Sequence, residues 1–304
     1  MRDLDIPLPV MRAVLTPLYR VMMHHRMPLA ARRTLSDIAA RAQIVPANTT
    51  VTPLRLGGRP AERLTAGNSA PDTAVLYLHG GGYTIGSLTT HRSLAARLAH
   101  ETGAAVYQLD YRLAPEHPYP AALEDAVAAF DALIALGHTP DRIAVAGDSA
   151  GGGLSLATAQ RLVAQRGVAP AALGLIAPWG DPNGPVAGDR DLVVNRWWSD
   201  QCARDYLGAG DPHATGYAPL RGPMSGLPPT YVQADMGELL YKQCVELVSA
   251  LREAGVHVRF DESNGLWHVA QLQSSLTAPA AAAARELSAF LRAALQPVDT
   301  RDLG

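Results

Sequence analysis

The chain has 304 residues, 48% of them hydrophobic and 18% charged, with a formal net charge of −2. A chain of this length and apolarity builds a sizeable core, which excludes a disordered or highly solvated polymer. The near-neutral charge gives no electrostatic basis for binding nucleic acid or an anionic membrane.

Two cysteines, Cys202 and Cys244, show neither a disulfide framework nor metal-ligand spacing, so no metal site is expected. The N-terminal stretch has acids and prolines where a secretion signal needs a basic end and an unbroken apolar run. No stretch reaches the roughly 18–20 apolar residues of a membrane span. The expectation is a soluble, cytoplasmic protein without a membrane span.

Residues 1–45 read as helix-forming and precede any strand. From residue 73 short β-branched runs alternate with helical patterns. The runs cover 73–79, 104–110, 142–147, 172–178, 229–234 and 256–261. Several are apolar throughout, as in strands buried on both faces. Between and after them, 91–102, 119–136, 150–166, 239–254 and 278–295 carry helical spacing. This alternation predicts an α/β fold with a mostly parallel sheet flanked by helices. Residues 179–226, rich in Gly, Pro and Asp, interrupt the pattern. A long irregular insertion in a compact domain is more often a lid than a mere connection. One domain over 1–304 is therefore expected, with 1–45 and 179–226 forming a cap at the strand ends.

The chemistry starts at 146-AGDSAGGGLSLA-157, where a strand runs through Gly147, Ser149 and Gly151 into a helix. A strand–Gly–x–Ser–x–Gly–helix turn strains the serine and projects its Oγ above the sheet, beside the positive end of a helix dipole. Helix capping is the plain alternative for such a serine. The run 77-YLHGGGYTIGS-87 adds three consecutive glycines after a strand. That costly choice suits close backbone approach, as in an oxyanion hole for acyl transfer. Gly81 and Gly82, with Ala150, are the expected amide donors, and His79 is expected to brace the loop.

Serine needs a base, and in this chain order the base follows it. His268, in 264-NGLWHVAQL-272, follows the last strand and is the expected base. The orienting acid lies between them, after the strand at 229–234, where the sequence offers Asp235 and Glu238. Glu238 stands nearer the helical pattern and is favoured, with Asp235 the competitor. Met22, Met23, Tyr83, Trp197 and Trp198 are the candidate substrate-pocket residues, since apolar pockets use Met and aromatic side chains.

The motifs HGGGY at 79–83, DYRLAPEHPYPAALEDA at 110–126, GDSAGGGL at 147–154 and GLWH at 265–268 together resemble the bacterial hormone-sensitive-lipase-like esterases of the α/β-hydrolase superfamily. The resemblance implies an eight-stranded sheet with a helical cap, no cofactor and frequent homodimers. It implies hydrolysis of short- to medium-chain esters through an acyl-enzyme, with a small ester as substrate. It also implies that Asp110, Arg112 and Glu116 form an internal polar brace. Relatives carry Asp-Pro-Leu or Gly-x-x-Glu at the acid; here Asp235 stands where the second version has glycine, and Glu238 matches its acid. An amide deacetylase or lactone hydrolase would use the same triad, and a ligand-binding pseudoenzyme would use the same fold.

Overall fold

The computed structural model describes residues 4–67 and 71–296. The chain opens with two helices, α1 (Leu8–Met22) and α2 (Leu29–Ala40). An antiparallel hairpin follows, β1 (Thr49–Leu56) and β2 (Arg59–Ala66), with Leu56 paired to Arg59. Its two-residue turn is Gly57-Gly58, both at positive φ, as turns matching strand twist require.

The alternating part then begins: β3 (Ala74–Leu78), α3 (Leu88–Thr102), β4 (Ala105–Leu109), α4 (Ala121–Ala135) and β5 (Ile143–Asp148). It continues through α5 (Ala150–Arg166), β6 (Ala172–Ile176), α6 (Arg196–Leu207), β7 (Thr230–Asp235), α7 (Tyr241–Glu253), β8 (Val258–Ser263) and α8 (Ala278–Leu295). The sheet order is β1-β2-β4-β3-β5-β6-β7-β8. The six strands from β4 to β8 in that order run parallel, and β2 joins β4 antiparallel.

Both faces are dry from β4 across to β7, whereas β8 at the sheet edge is only half-buried. Successive side chains of a strand point to opposite faces. In β3, Leu76 and Leu78 join one core with Leu133 of α4 and Leu154 of α5, while Val75 and Tyr77 join another with Leu94 of α3 and Leu287 of α8. The continuous apolar runs in the sequence have this cause. Truncating a leucine such as Leu76 to alanine is expected to cost about 2–5 kcal/mol.

Residues 177–229 leave the alternation between β6 and β7, and their single α-helix is α6. Asn195 caps α6 by accepting from the Trp198 amide (2.9 Å), and its side-chain amide donates to the Met23 carbonyl (3.0 Å). The end of α1 is thereby tied to the start of α6. Among the described residues no helix is long and apolar enough to cross a membrane.

Candidate active site

Ser149 joins β5 to α5 with φ 52° and ψ −121°. A non-glycine residue held there stores on the order of 1–3 kcal/mol of strain. The backbone is clamped: the Ser149 amide donates to Ile176 O (2.8 Å), and its carbonyl accepts from Gly153 (3.0 Å) and Trp179 (2.8 Å). A Cβ at Gly151 would strike the Leu78 carbonyl, and one at Gly147 the Gly151 carbonyl. Side chains at those positions would push the turn away from β3.

His268 arrives from the loop after β8, and its Nε2 lies 2.9 Å from Ser149 Oγ. When Nε2 accepts the serine proton, Nδ1 carries the ring N–H. Nδ1 faces Glu238 Oε2 at 3.6 Å, longer than a hydrogen bond, and Glu238 sits in the turn between β7 and α7. Both side chains are buried. Burial, the largest single influence, pulls the His268 pKa down, but Glu238, Asp191 and Asp148 together outweigh it and leave the imidazole above its ordinary value. Burial pushes the Glu238 carboxyl up, only partly offset by His268.

Asp235, the other acid considered, works elsewhere. Its Oδ2 accepts from Leu266 N (2.8 Å) and Ser263 Oγ (2.9 Å), and its Oδ1 from Gly237 N (3.0 Å). It holds the strand end and loop that carry the histidine. Arg12 of α1 holds the same loop from the other side. Its Nη2 donates to the carbonyls of Gly265 (2.9 Å) and Leu266 (2.6 Å), and its guanidinium lies 5.6 Å over the Trp267 ring. No sequence signal marks Arg12, because its partners are more than 250 residues away.

The glycine loop after β3 is braced from beneath. Buried Asp148 accepts from Tyr77 OH (2.7 Å) and the Gly80 amide (3.1 Å), and its other oxygen lies 3.3 Å from His91 Nε2. Burial alone would raise the Asp148 carboxyl; His91 and these hydrogen bonds hold it below its ordinary value. His79 stacks on Tyr111 with 4.3 Å between ring centres, and its Nδ1 lies 2.8 Å from the Gly80 carbonyl. Burial and neighbouring His91 drop its pKa to about 4. The amides of Gly81, Gly82 and Ala150 donate no hydrogen bond among the described residues. Asp148 and His91 were not singled out from the sequence, although the GDSAG run contains the former.

Asp110, Arg112 and Glu116 do not brace one another. Arg112 clasps Asp125, its Nη2 2.8 Å from Oδ1, while Glu116 is held by Arg33 of α2 at 2.8 Å. Arg33 also donates to the Thr84 and Ala114 carbonyls, fastening α2 to the glycine loop.

A cavity of about 460 Å³ opens onto Ser149 and His268. Met22, Met23 and Trp198 line it beside Leu15 and Leu18. Two of the expected pocket residues lie elsewhere. Trp197 is 40% exposed, with its edge toward His25. Tyr83 is buried in the core, stacked on Tyr206 at 3.5 Å. Neighbours on a helix point about 100° apart, so Trp198 faces in while Trp197 faces out. Among the described residues no three His, Cys, Asp or Glu side chains gather as metal ligands do.

The family model for the alpha/beta hydrolase fold matches residues 75–272 of this sequence. The chain belongs to the α/β-hydrolase family. Similar members include an acetyl-hydrolase of Streptomyces hygroscopicus, 35% identical over 253 residues, covering 79% of this chain and 85% of that protein. An esterase of Acinetobacter venetianus is 32% identical, covering 86% and 88%. Among solved structures, an esterase from the bacterial hormone-sensitive lipase family superposes with a TM-score of 0.88. It is 32% identical and covers 96% of this chain and 99% of its own. The fold and family expected from the sequence are thus found in this α/β-hydrolase.

Proposed function

We propose that this carboxylic ester hydrolase works through a Ser149–His268–Glu238 triad and an acyl-enzyme. The observation that carries the reading is the 2.9 Å contact between His268 Nε2 and a serine held at positive φ at a helix N-terminus. His268 Nε2 takes the Ser149 proton as Oγ bonds to the ester carbonyl carbon. The carbonyl electrons move onto oxygen, where the free amides of Gly81, Gly82 and Ala150 receive them; one such donor is worth about 2.7–4 kcal/mol. Collapse expels the alcohol, which takes the proton from His268, and water repeats both steps on the acyl-serine. Glu238 orients the imidazole and offsets its charge. The 3.6 Å gap is the kind that tightens when a catalytic complex forms.

The apolar cavity supports an acyl group of short to medium length as the substrate part it holds. In this reading residues 1–45 and 179–226 form the cap over the catalytic face, residues 1–3 lying outside the described residues. The reading also carries a homodimeric assembly and a cytoplasmic location, which analytical ultracentrifugation and cell fractionation test. For the triad itself, a fluorophosphonate should label the wild type on the peptide containing Ser149 and leave Ser149→Ala unlabelled. Equal labelling of the two would remove Ser149 as nucleophile.

A further inference from the structure

Helix α1 carries one broad apolar arc, buried along one edge and open along the other. Met11, Leu15 and Met22 are buried against the cavity and body. Along the open edge Val10, Val14, Leu18 and Val21 are 52%, 60%, 37% and 56% exposed. Their spacing of four, four and three puts them in one stripe along the helix. Ile38 on α2 is 53% exposed as well, and eight of the thirteen exposed large hydrophobic residues fall within residues 4–45. A helix in contact with water alone would be polar on that side.

The stripe leads to the catalytic cavity, because Val10, Val14 and Leu18 also line it. The charge beside it is mainly basic, although Asp200, one turn after Trp197 on α6, is exposed as well. Arg20, Arg26 and Arg41 are exposed and form no ion pair among the described residues. Of the acids near them, Asp37 accepts from Ser87 Oγ and Asp5 from the Ala278 amide. This basic patch stands on a chain of net charge −2. At the patch edge Trp197 meets His25, and tryptophan is the residue type that gathers at lipid–water boundaries.

We propose that this face docks the enzyme on an anionic lipid surface, with the cavity mouth turned toward the lipid. Exposed apolar residues, unpaired arginines and a rim tryptophan are the parts of an interfacial helix. Anionic headgroups would neutralise the three unpaired arginines. Docking would deliver esters to the mouth without passage through water. That last step rests on the Ser149 reading; the docking does not.

The test is co-sedimentation with phosphatidylcholine vesicles, with and without phosphatidylglycerol, at low and high salt. The full chain should partition onto the anionic vesicles more strongly, by on the order of a hundredfold at about fivefold per arginine, and salt should weaken this. Val21→Glu with Ile38→Glu, and separately Arg20→Gln with Arg26→Gln and Arg41→Gln, should each lose the binding. Both should keep the wild-type rate on a water-soluble short ester, which shows them folded. Ser149→Ala should bind vesicles as the wild type does while hydrolysing nothing. Should Ser149→Ala still hydrolyse esters, the nucleophile assignment fails and the docking stands. No sedimentation of the wild type, or equal binding to neutral vesicles, would overturn the docking. So would a concentration-dependent dimer that Val21→Glu with Ile38→Glu dissolves, since a second copy would then own the face.

Discussion

Arg12 Nη2 donates to the Leu266 carbonyl at 2.6 Å, two residues before His268, while the Leu266 amide donates to Asp235 at 2.8 Å. One peptide segment beside His268 is thus gripped by α1 on one side and by the end of β7 on the other. The position of α1 and the position of the imidazole are mechanically linked.

Removing that grip should loosen the histidine without emptying the acyl pocket. Arg12→Met should lower kcat on p-nitrophenyl acetate about tenfold with KM little changed, and Arg12→Lys should restore part of the loss. Two hydrogen bonds from a charged donor are at stake, so stability should fall by about 2 kcal/mol. Steady-state kinetics beside a thermal melt separates the two effects. A loss of stability with kcat intact would make Arg12 structural only.

The pH profile follows from the direction of the His268 shift. The reaction needs the neutral imidazole, and against burial the acids Glu238, Asp191 and Asp148 together hold its pKa above the ordinary value. Activity should therefore fall on the acid side with a midpoint above about 6.5. Glu238→Gln removes the charge that favours the protonated ring, so its midpoint should move down. Its rate should drop by about 10³–10⁴-fold, as when an orienting carboxylate becomes an amide. A profile of kcat/KM against pH for both proteins checks this, and an unmoved midpoint would take Glu238 out of the triad.

Asp235→Asn offers a contrasting case. The change leaves one acceptor oxygen for three donors, Leu266 N, Ser263 Oγ and Gly237 N, and disturbs the loop rather than the charge facing the imidazole. We expect a fall in kcat smaller than that of Glu238→Gln, with the acid midpoint near the wild-type value. The same kinetic profile reads both outcomes.

Asp148 is the keystone under the glycine loop. Asp148→Ala would orphan Tyr77 OH and the Gly80 amide in a dry interior, at a cost of about 3 kcal/mol, roughly 5 °C in Tm for a chain of this size. Activity should fall with it, because the Gly80 amide positions the donors that follow. In the wild type the depressed carboxyl makes this stabilisation fully present above the ordinary carboxylate range. It is lost as pH falls through the still lower folded-state value. Thermal melts from neutral to acid pH should show the wild type approaching the variant only in strong acid.

The parallel strands and their helices were legible because burial on both faces leaves unbroken apolar runs, and β3 illustrates it with all five residues buried. The β1–β2 hairpin was not read from the residues, although an eight-stranded sheet was expected from the resemblance. Its strands carry Pro53 and Pro60 and mix polar with apolar residues, unlike the unbroken apolar runs of the buried parallel strands. The Gly57-Gly58 pair was the available signal. Ser149 and His268 stood out because their neighbours in sequence are their neighbours in mechanism. Asp235 ends β7 and Glu238 follows three residues later, and only their three-dimensional partners separate them. Trp197 and Trp198 illustrate a limit of another kind, since composition names a residue and helix phase decides where it points. Arg12 lies beyond any local pattern, for its role exists only once α1 folds back over the end of the chain.

The most direct test is the rate on p-nitrophenyl esters from acetate to palmitate, for the wild type and Ser149→Ala purified side by side. The wild type should show a maximum at short to medium chain length, and the variant should lose that activity. Comparable hydrolysis by both proteins would contradict the assignment of Ser149.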